Sequence, residues 1–242
     1  MIKLTKVGFL FLLGWGLVGV NAQLARSQEA QYQKPEFEVS EGFRLTEDVK
    51  GFHAPVGIAF FPQALDEKSL EKLSDEAPVY VVSELRGKLK VVRKNGKIEI
   101  LEEKQIYVPQ SELPSIDGES GLTGVCVSPD GLKIYATGTI GSGVSLINSI
   151  MVWESTGASA ELWKQPKKLK VFRGPFEGEF VRGAHQIGQC RIGSDGKLWV
   201  GVGDGQAPPT SRNIKRITGK ILRFNPDLSP ALDLSLIHIS EP

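Results

Sequence analysis

A histidine and an aspartate stand at the two open ends of one predicted β-hairpin. His185 precedes an apolar strand, Asp195-Gly196 supplies a turn, and Asp204 follows the returning strand. Asp-Gly between alternating apolar residues is typical of a two-residue type I′ turn, in which both central residues have positive φ. Antiparallel pairing would place the imidazole and the carboxylate at one rim. A neutral imidazole there could accept a proton, because the ordinary histidine pKa is about 6.5.

The composition is that of an ordinary globular protein with one or two domains. The chain has 242 residues, of which 40% are hydrophobic and 24% are charged. Its 29 lysines and arginines are balanced by 28 aspartates and glutamates. Because there is no strong net charge, the sequence predicts neither a nucleic acid nor an anionic membrane surface as a partner.

The first 22 residues have the pattern of a secretory signal peptide. Two lysines precede an apolar run over residues 7–20, and Ala22 ends a stretch that fits a cleavage site. A membrane-spanning helix is the alternative, but the run of about 14 residues is shorter than the ~20 needed to cross a bilayer. We therefore expect cleavage after Ala22, no stable membrane span afterwards, and a periplasmic or secreted protein that begins with a polar segment, residues 23–42.

Cys126 and Cys190 are the only cysteines. An exported protein could join them, because oxidising compartments permit disulfides. Both lie in apolar strand patterns, however, where cysteine commonly serves as a small buried hydrophobe. The sequence therefore predicts two buried free thiols.

Three segments resemble one another with a period of about 65 residues, and Ala59, Cys126 and Cys190 occupy equivalent places in them. Within each segment short strands alternate with turn signals, such as the predicted type I′ turn at Asn95-Gly96. Small antiparallel sheets in a regular series favour a β-propeller. A β-sandwich would explain the strands but not the period. The predicted fold class is therefore all-β, with propeller architecture.

The predicted propeller occupies residues 43–233, which is enough for about three blades at this period, whereas closed propellers usually have 4 to 8. Residues 234–242 fit no repeat, and we expect them to be a non-native tail. The alternative is that they form a genuine terminal strand. His238 lies in this tail and is left out of the candidate site.

Three motifs resemble the soluble quinoprotein glucose and sorbosone dehydrogenases. The first is the hairpin from His185 to Asp204. The second, residues 117–124, resembles the family's acidic or amide residue before a Gly-Leu-x-Gly turn. The third, residues 219–227, resembles its Gly-Lys-hydrophobic-Leu-Arg-hydrophobic-Asn signature. The resemblance extends from about residue 43 to 227 and implies the first half of a six-bladed propeller.

The resemblance implies oxidation of an aldose hydroxyl by pyrroloquinoline quinone (PQQ), with Ca²⁺ as a second cofactor and a separate electron acceptor. His185 then occupies the position of the general base, Asp204 would orient its ring, and Glu119 falls where the family places a residue near the substrate. From the residues alone, Asp204 could equally cap a turn and Glu119 could belong to a solvated glycine-rich turn. The basic residues that hold the quinone belong to later blades of the family, so we expect this chain by itself to be inactive.

Two other functions fit the same sequence. A propeller can be a recognition module without catalysis, since a fold does not determine a function. It can also hold a divalent cation with carboxylate and amide side chains and act as a lactonase. Glu119 and Asp204 are the candidate ligands with motif support for that reaction.

Overall fold

The computed structural model describes residues 40–102, 121–140, 147–155, 163, 167–172 and 184–232. Contacts along the chain define two units, Met1–Glu47 and Asp48–Pro242, and the features below belong to the second. The predicted signal peptide, most of the polar segment that follows it and the predicted tail lie outside the described residues. No helix in the described ranges has the length and apolar character that a membrane span requires.

Three antiparallel sheets account for nearly all of the regular structure. The first has the order β1-β2-β3-β4, with strands Pro55–Phe60, Pro78–Glu84, Leu89–Arg93 and Ile98–Glu102. The second has the order β5-β6-β7-β8, with strands Leu122–Val127, Lys133–Ile140, Ile147–Glu154 and Lys167–Phe172. In the described part of the third, β10 lies between β9 and β11, with strands Ile187–Ile192, Leu198–Val202 and Lys220–Phe224.

Short helical segments occur only in connections between strands of the described ranges. A 3₁₀ helix, Pro62–Ala64, and α1, Glu67–Lys72, lie between β1 and β2. Asp66 caps α1, because its Oδ1 accepts a hydrogen bond from the Ser69 backbone N at 2.9 Å. The second helix, α2, Pro208–Ser211, lies between β10 and β11.

The first strands of the three sheets lie side by side. β1 contacts β5, and β5 contacts β9. Gln189 on β9 joins all three strands, because its Nε2 donates to the backbone oxygens of Val56 and Thr123, each at 2.8 Å. Sheets that stack around converging first strands are the blades of a β-propeller. The predicted fold class is therefore confirmed, with three blades in the described part of the chain.

Apolar side chains fill both interfaces between neighbouring sheets. Between the first and second sheets the buried cluster includes Val81, Val91, Val125, Met151 and Trp153. Between the second and third sheets it includes Tyr135, Val152, Cys190, Leu198 and Val200. A β-sandwich has two sheets and one such interface, so the described part of the chain does not fit the alternative fold.

The turn at Asp195-Gly196 differs from the type I′ turn that the sequence predicts. Gly196 has a φ of +71°, whereas Asp195 is not among the residues with positive φ. Gly196 N donates to Gly193 O, and Gly193 N donates to Lys197 O, both at 2.9 Å, which makes a type I turn followed by a left-handed glycine. The extra loop residue lets aspartate keep an ordinary conformation. The turn at Asn95-Gly96 has the same form, so that type I′ prediction is also wrong.

The two cysteines form a disulfide, so the prediction of free thiols is wrong. Cys126 and Cys190 are bonded, with their Cα atoms 5.9 Å apart. When the turn glycines Gly131 and Gly196 are aligned, Cys190 corresponds to Val125 and not to Cys126. Successive residues of a strand point to opposite faces, so this offset of one residue lets Cys126 face the third sheet while Cys190 faces the second.

Gly124 on β5 is packed so closely that we expect Gly124→Ala to destabilise the protein by about 1–3 kcal/mol. A Cβ at this position would lie 2.5 Å from Thr137 Oγ1 and 2.7 Å from Gln189 Cα. The control is Gly201→Ala, where a Cβ would meet no described atom within 4 Å. Urea denaturation measures both, and we expect the control to stay within about 0.5 kcal/mol of the wild type. Equal losses in the two variants would contradict the close approach of β5 and β9.

Candidate active site

His185 and Asp204 are in direct contact at one end of the third sheet. His185 lies just before β9 and Asp204 just after β10, and Ile187 pairs with Val202 in the register between these strands. The distance from His185 Nδ1 to Asp204 Oδ1 is 2.8 Å. The His185 side chain is 53% exposed and that of Asp204 is 25% exposed. The hairpin therefore brings the two predicted residues together where a solute could reach the ring.

The backbone around this pair is held in an uncommon conformation. His185 has a φ of +57°, in the left-handed region that non-glycine residues seldom occupy. Gly203 N donates to Gln186 O at 3.0 Å, and Gly205 N donates to His185 O at 2.9 Å. A Cβ on Gly203 would lie 2.4 Å from His185 O. Glycine at 203 is thus required for the close approach that places Asp204 beside the histidine.

Asp204 both contacts the histidine and caps a turn. Its Oδ1 accepts from His185 Nδ1 and also from the Gln206 backbone N at 2.9 Å. The hydrogen bond with His185 is the main cause that lowers the pKa of Asp204 below its ordinary value of 3.8, and the bond from Gln206 lowers it further. The two interpretations of Asp204 left open by the sequence therefore hold together, and the aspartate is ionised near neutral pH.

Asp204→Asn is expected to lower the thermal midpoint at pH 7, and its difference from the wild type is expected to shrink as the pH falls below the ordinary aspartate value of 3.8. A carboxylate whose pKa is depressed by folding contributes stability above its unfolded pKa, and that contribution is lost as the pH falls through the folded pKa. Asparagine has the same shape but carries no charge. Thermal unfolding of both proteins at a series of pH values from 7 into the acid range should give two curves that converge, whereas parallel curves would show that the charge of Asp204 does not stabilise the fold.

Glu119, the third predicted site residue, lies outside the described residues, and its proximity to the substrate stays a prediction. The first described residue after it is Gly121, whose backbone N donates to Thr139 Oγ1 at 2.8 Å. Gly121 immediately precedes β5, just as His185 shortly precedes β9. The second motif therefore ends at the beginning of β5, just as the histidine motif lies at the beginning of β9.

Arg86 is a candidate that sequence reasoning missed. It lies in the turn between β2 and β3, where Leu85 N donates to Ala54 O and Leu85 O accepts from Leu122 N. These bonds place the turn at the beginnings of β1 and β5, the same end of the sheets as His185. Arg86 Nη1 is buried and has no hydrogen-bond partner among the described residues. No sequence signal identifies it, because an arginine in a hairpin turn is ordinarily solvated.

The cations of the third motif are engaged within the third sheet. Lys220 Nζ donates to the backbone oxygens of Ser211 and Thr218. Arg223 donates to Asp195 Oδ2 at 2.6 Å, and its guanidinium carbon lies 5.1 Å from the centre of the Trp199 ring. These two side chains therefore stabilise the blade, its turn and the connection between β10 and β11.

The described residues fit PQQ in two respects. The unpaired Nη1 of Arg86 is a charged donor suited to a carboxylate of the quinone, and His185 offers a half-exposed imidazole. The described residues do not fit calcium in the same way. In the part of the chain that the structure describes, no three His, Cys, Asp or Glu side chains are grouped so that they could hold a metal ion. We therefore assign no described residue to Ca²⁺.

Solved structures of sugar dehydrogenases are similar to this chain. An oxidoreductase (glucose dehydrogenase) from Thermus thermophilus is 25% identical, with a TM-score of 0.59 over 81% of this chain and 50% of that chain. Another glucose dehydrogenase is 18% identical, with a TM-score of 0.53 over 74% and 46%. The PQQ-bound form of an aldose sugar dehydrogenase from Streptomyces coelicolor is 26% identical, with a TM-score of 0.49 over 76% and 48%. The chain thus spans about half the length of these proteins.

No curated protein sequence matches the chain. The family model described as Glucose / Sorbosone dehydrogenase, however, matches residues 68–238. This match covers well over half of the sequence and includes the hairpin that brings His185 and Asp204 together. The chain therefore belongs to the glucose/sorbosone dehydrogenase family.

Proposed function

We propose that this chain carries the proton-accepting part of a PQQ-dependent sugar dehydrogenase site, in which His185 takes the proton of an aldose hydroxyl and Asp204 orients the ring. The observation that carries the proposal is the 2.8 Å contact between His185 Nδ1 and Asp204 Oδ1 at the open end of the hairpin. Family membership and the three motifs support the reaction class. The chain spans about half the length of its structural relatives. The activity of the whole protein is therefore proposed here as well.

The charge state of Asp204 determines which ring nitrogen accepts the proton. An ionised carboxylate can only accept hydrogen bonds, so the hydrogen between the two side chains resides on His185 Nδ1. The neutral ring then presents the lone pair of Nε2 to a substrate hydroxyl. When Nε2 takes the proton, the resulting imidazolium is stabilised by the adjacent Asp204 carboxylate.

PQQ, when bound, supplies the acceptor for the hydride that leaves the carbon bearing the hydroxyl. Arg86 would hold a carboxylate of the quinone through Nη1, which has no partner among the described side chains and backbone. Ca²⁺ and a separate electron acceptor are part of the same proposal, supported by the resemblance of the motifs. Glu119 is proposed to lie near the sugar on the same ground.

The proposal is tested on the full-length gene product reconstituted with PQQ and calcium chloride. Reduction of an artificial dye is followed with a panel of aldoses. We expect dye reduction that requires both PQQ and an aldose. A correctly folded product that binds PQQ but oxidises no aldose would overturn the assignment of sugar oxidation, and one that binds no PQQ would overturn the choice of cofactor.

We also propose that the protein is exported. The lysines and the apolar run before Ala22 support a signal peptide, and the Cys126–Cys190 disulfide is of the kind that oxidising compartments permit. Expression in a Gram-negative host, fractionation and amino-terminal sequencing test this. We expect periplasmic protein that begins at Gln23, and cytoplasmic protein that retains Met1 would contradict it.

A further inference from the structure

Two buried amide side chains connect the second sheet to the backbone around His185. Asn148 on β7 is 3% exposed, and Gln186, next to the histidine, is 9% exposed. Asn148 Nδ2 donates to Gln186 Oε1 at 3.1 Å, and Asn148 Oδ1 accepts from the Ile187 backbone N at 3.2 Å. Gln186 Nε2 donates to Ala184 O at 2.9 Å. The pair therefore forms hydrogen bonds to the backbone on both sides of one residue, His185.

This arrangement stabilises the uncommon backbone conformation of His185. A left-handed non-glycine residue persists only where the surrounding structure over-determines its conformation, and His185 has a φ of +57°. Within the hairpin, Gly205 N donates to the carbonyl oxygen of His185 and Gly203 N donates to that of Gln186. The bond from Gln186 Nε2 to Ala184 O holds the backbone before His185 locally, and the bond from Ile187 N to Asn148 Oδ1 ties the backbone after it to the second sheet. The direction in which the imidazole leaves the chain is thus determined by groups on two different sheets.

We propose that Asn148 and Gln186 are positioning residues for the histidine base. They hold the left-handed backbone at His185, and through it they keep Nδ1 against Asp204 and Nε2 turned toward the substrate. The inference rests on the proposed function of His185. The effect of the two amides on the orientation of the His185 ring can be measured without turnover.

The chemistry of the pair favours this role over simple core packing. All four polar atoms of the two amides are engaged, with one another or with the backbone of the segment from Ala184 to Ile187. Replacing Asn148 by an apolar residue would leave the buried N–H of Ile187 without this partner, and replacing Gln186 would remove the donor to the partly buried Ala184 C=O. A purely apolar contact between the sheets would stabilise packing, but it would not select one backbone conformation at His185.

The test compares Asn148→Ala with Ser149→Ala. Ser149 is the next residue on β7 and is fully buried, and among the described residues its Oγ donates to Ile147 O, two residues away. Ring ¹⁵N shifts of His185, assigned with a His185→Asn variant, report the tautomer. In the wild type and in Ser149→Ala we expect the signature of a ring protonated at Nδ1. In Asn148→Ala we expect averaged shifts of two tautomers, because the contact with Asp204 is lost for part of the time.

Kinetics of the reconstituted gene product provide the second measurement. Because misplacement of a reacting group by about 1 Å can cost on the order of 100-fold, we expect Asn148→Ala to lower kcat by roughly 10- to 100-fold at nearly constant KM. Ser149→Ala should stay within about twofold of the wild type. If Asn148→Ala does not fold, Gln186→Met is used instead, since this change removes the donor to Ala184 O and the acceptor of Asn148 Nδ2, nearly keeps the size of the side chain and adds no charge.

The outcomes separate this inference from the proposed function. A change of tautomer in Asn148→Ala supports the positioning role even if the gene product oxidises no sugar. An unchanged tautomer together with wild-type kcat overturns the positioning role even if His185 proves essential. Equal effects of Asn148→Ala and Ser149→Ala also overturn it, because they would show a general response to loss of buried polar groups.

Discussion

Replacement of His185 by asparagine is expected to lower kcat for aldose oxidation roughly 10²- to 10⁴-fold, the usual contribution of a positioned general base. Asparagine is chosen because it tolerates the left-handed conformation that His185 adopts at φ +57°, whereas alanine would add backbone strain. An amide cannot accept the proton. KM should change little, since the loss occurs in the transition state for proton removal. Dye reduction by the reconstituted gene product measures both constants.

His53→Asn is the matched control for this prediction. His53 lies before β1 with an exposed side chain, and its backbone N donates to Glu84 Oε1 at 2.7 Å. We expect wild-type turnover from this variant. Partial recovery of His185→Asn by added imidazole would strengthen the assignment, because a free base would replace the missing ring. Full turnover of His185→Asn without rescue would rule out His185 as the base.

The meeting of His185 and Asp204 could be predicted from sequence because it depends only on local antiparallel pairing. A turn near Asp195 forces the chain back on itself, and the alternation of apolar residues aligns the two strands. The type of the turn has no effect on this meeting. Whether the loop holds two residues or three, the open ends of the strands remain neighbours, and Gly203 permits the final approach.

Features that depend on contacts between sheets could not be predicted in the same way. Cys126 and Cys190 are equivalent by spacing, but a shift of one residue between the repeats reverses the face that one of them presents. Asn148 and Arg86 belong to the second and first sheets and approach the site only when the sheets stack. No pattern along the chain marks either residue, since buried amides and turn arginines are common elsewhere.

Removal of the Cys126–Cys190 disulfide is expected to destabilise the protein by about 4 kcal/mol. The bond closes a loop with a sequence separation of 64, and the loss of chain entropy in the unfolded state scales with the logarithm of that length. For a protein of this size the change corresponds to a fall in the thermal midpoint of roughly 10 °C. Thermal unfolding of the oxidised protein with and without a thiol reductant measures it.

The reductant experiment separates the cross-link from the packing of the sulfur atoms. Reduced wild-type protein keeps both side chains, whereas the double variant Cys126→Ala with Cys190→Ala loses the sulfur atoms as well as the bond. We expect the double variant to unfold somewhat below the reduced wild type, because Cys190 is fully buried between two sheets and its truncation leaves a cavity. It should not respond to the reductant. An unchanged midpoint in protein whose thiols are shown to be reduced would mean that packing and hydrogen bonds hold β9 against β5 without the cross-link. A large fall would mean that the strand leading away from His185 is fixed to the second sheet by a covalent bond as well as by the amides of Asn148 and Gln186.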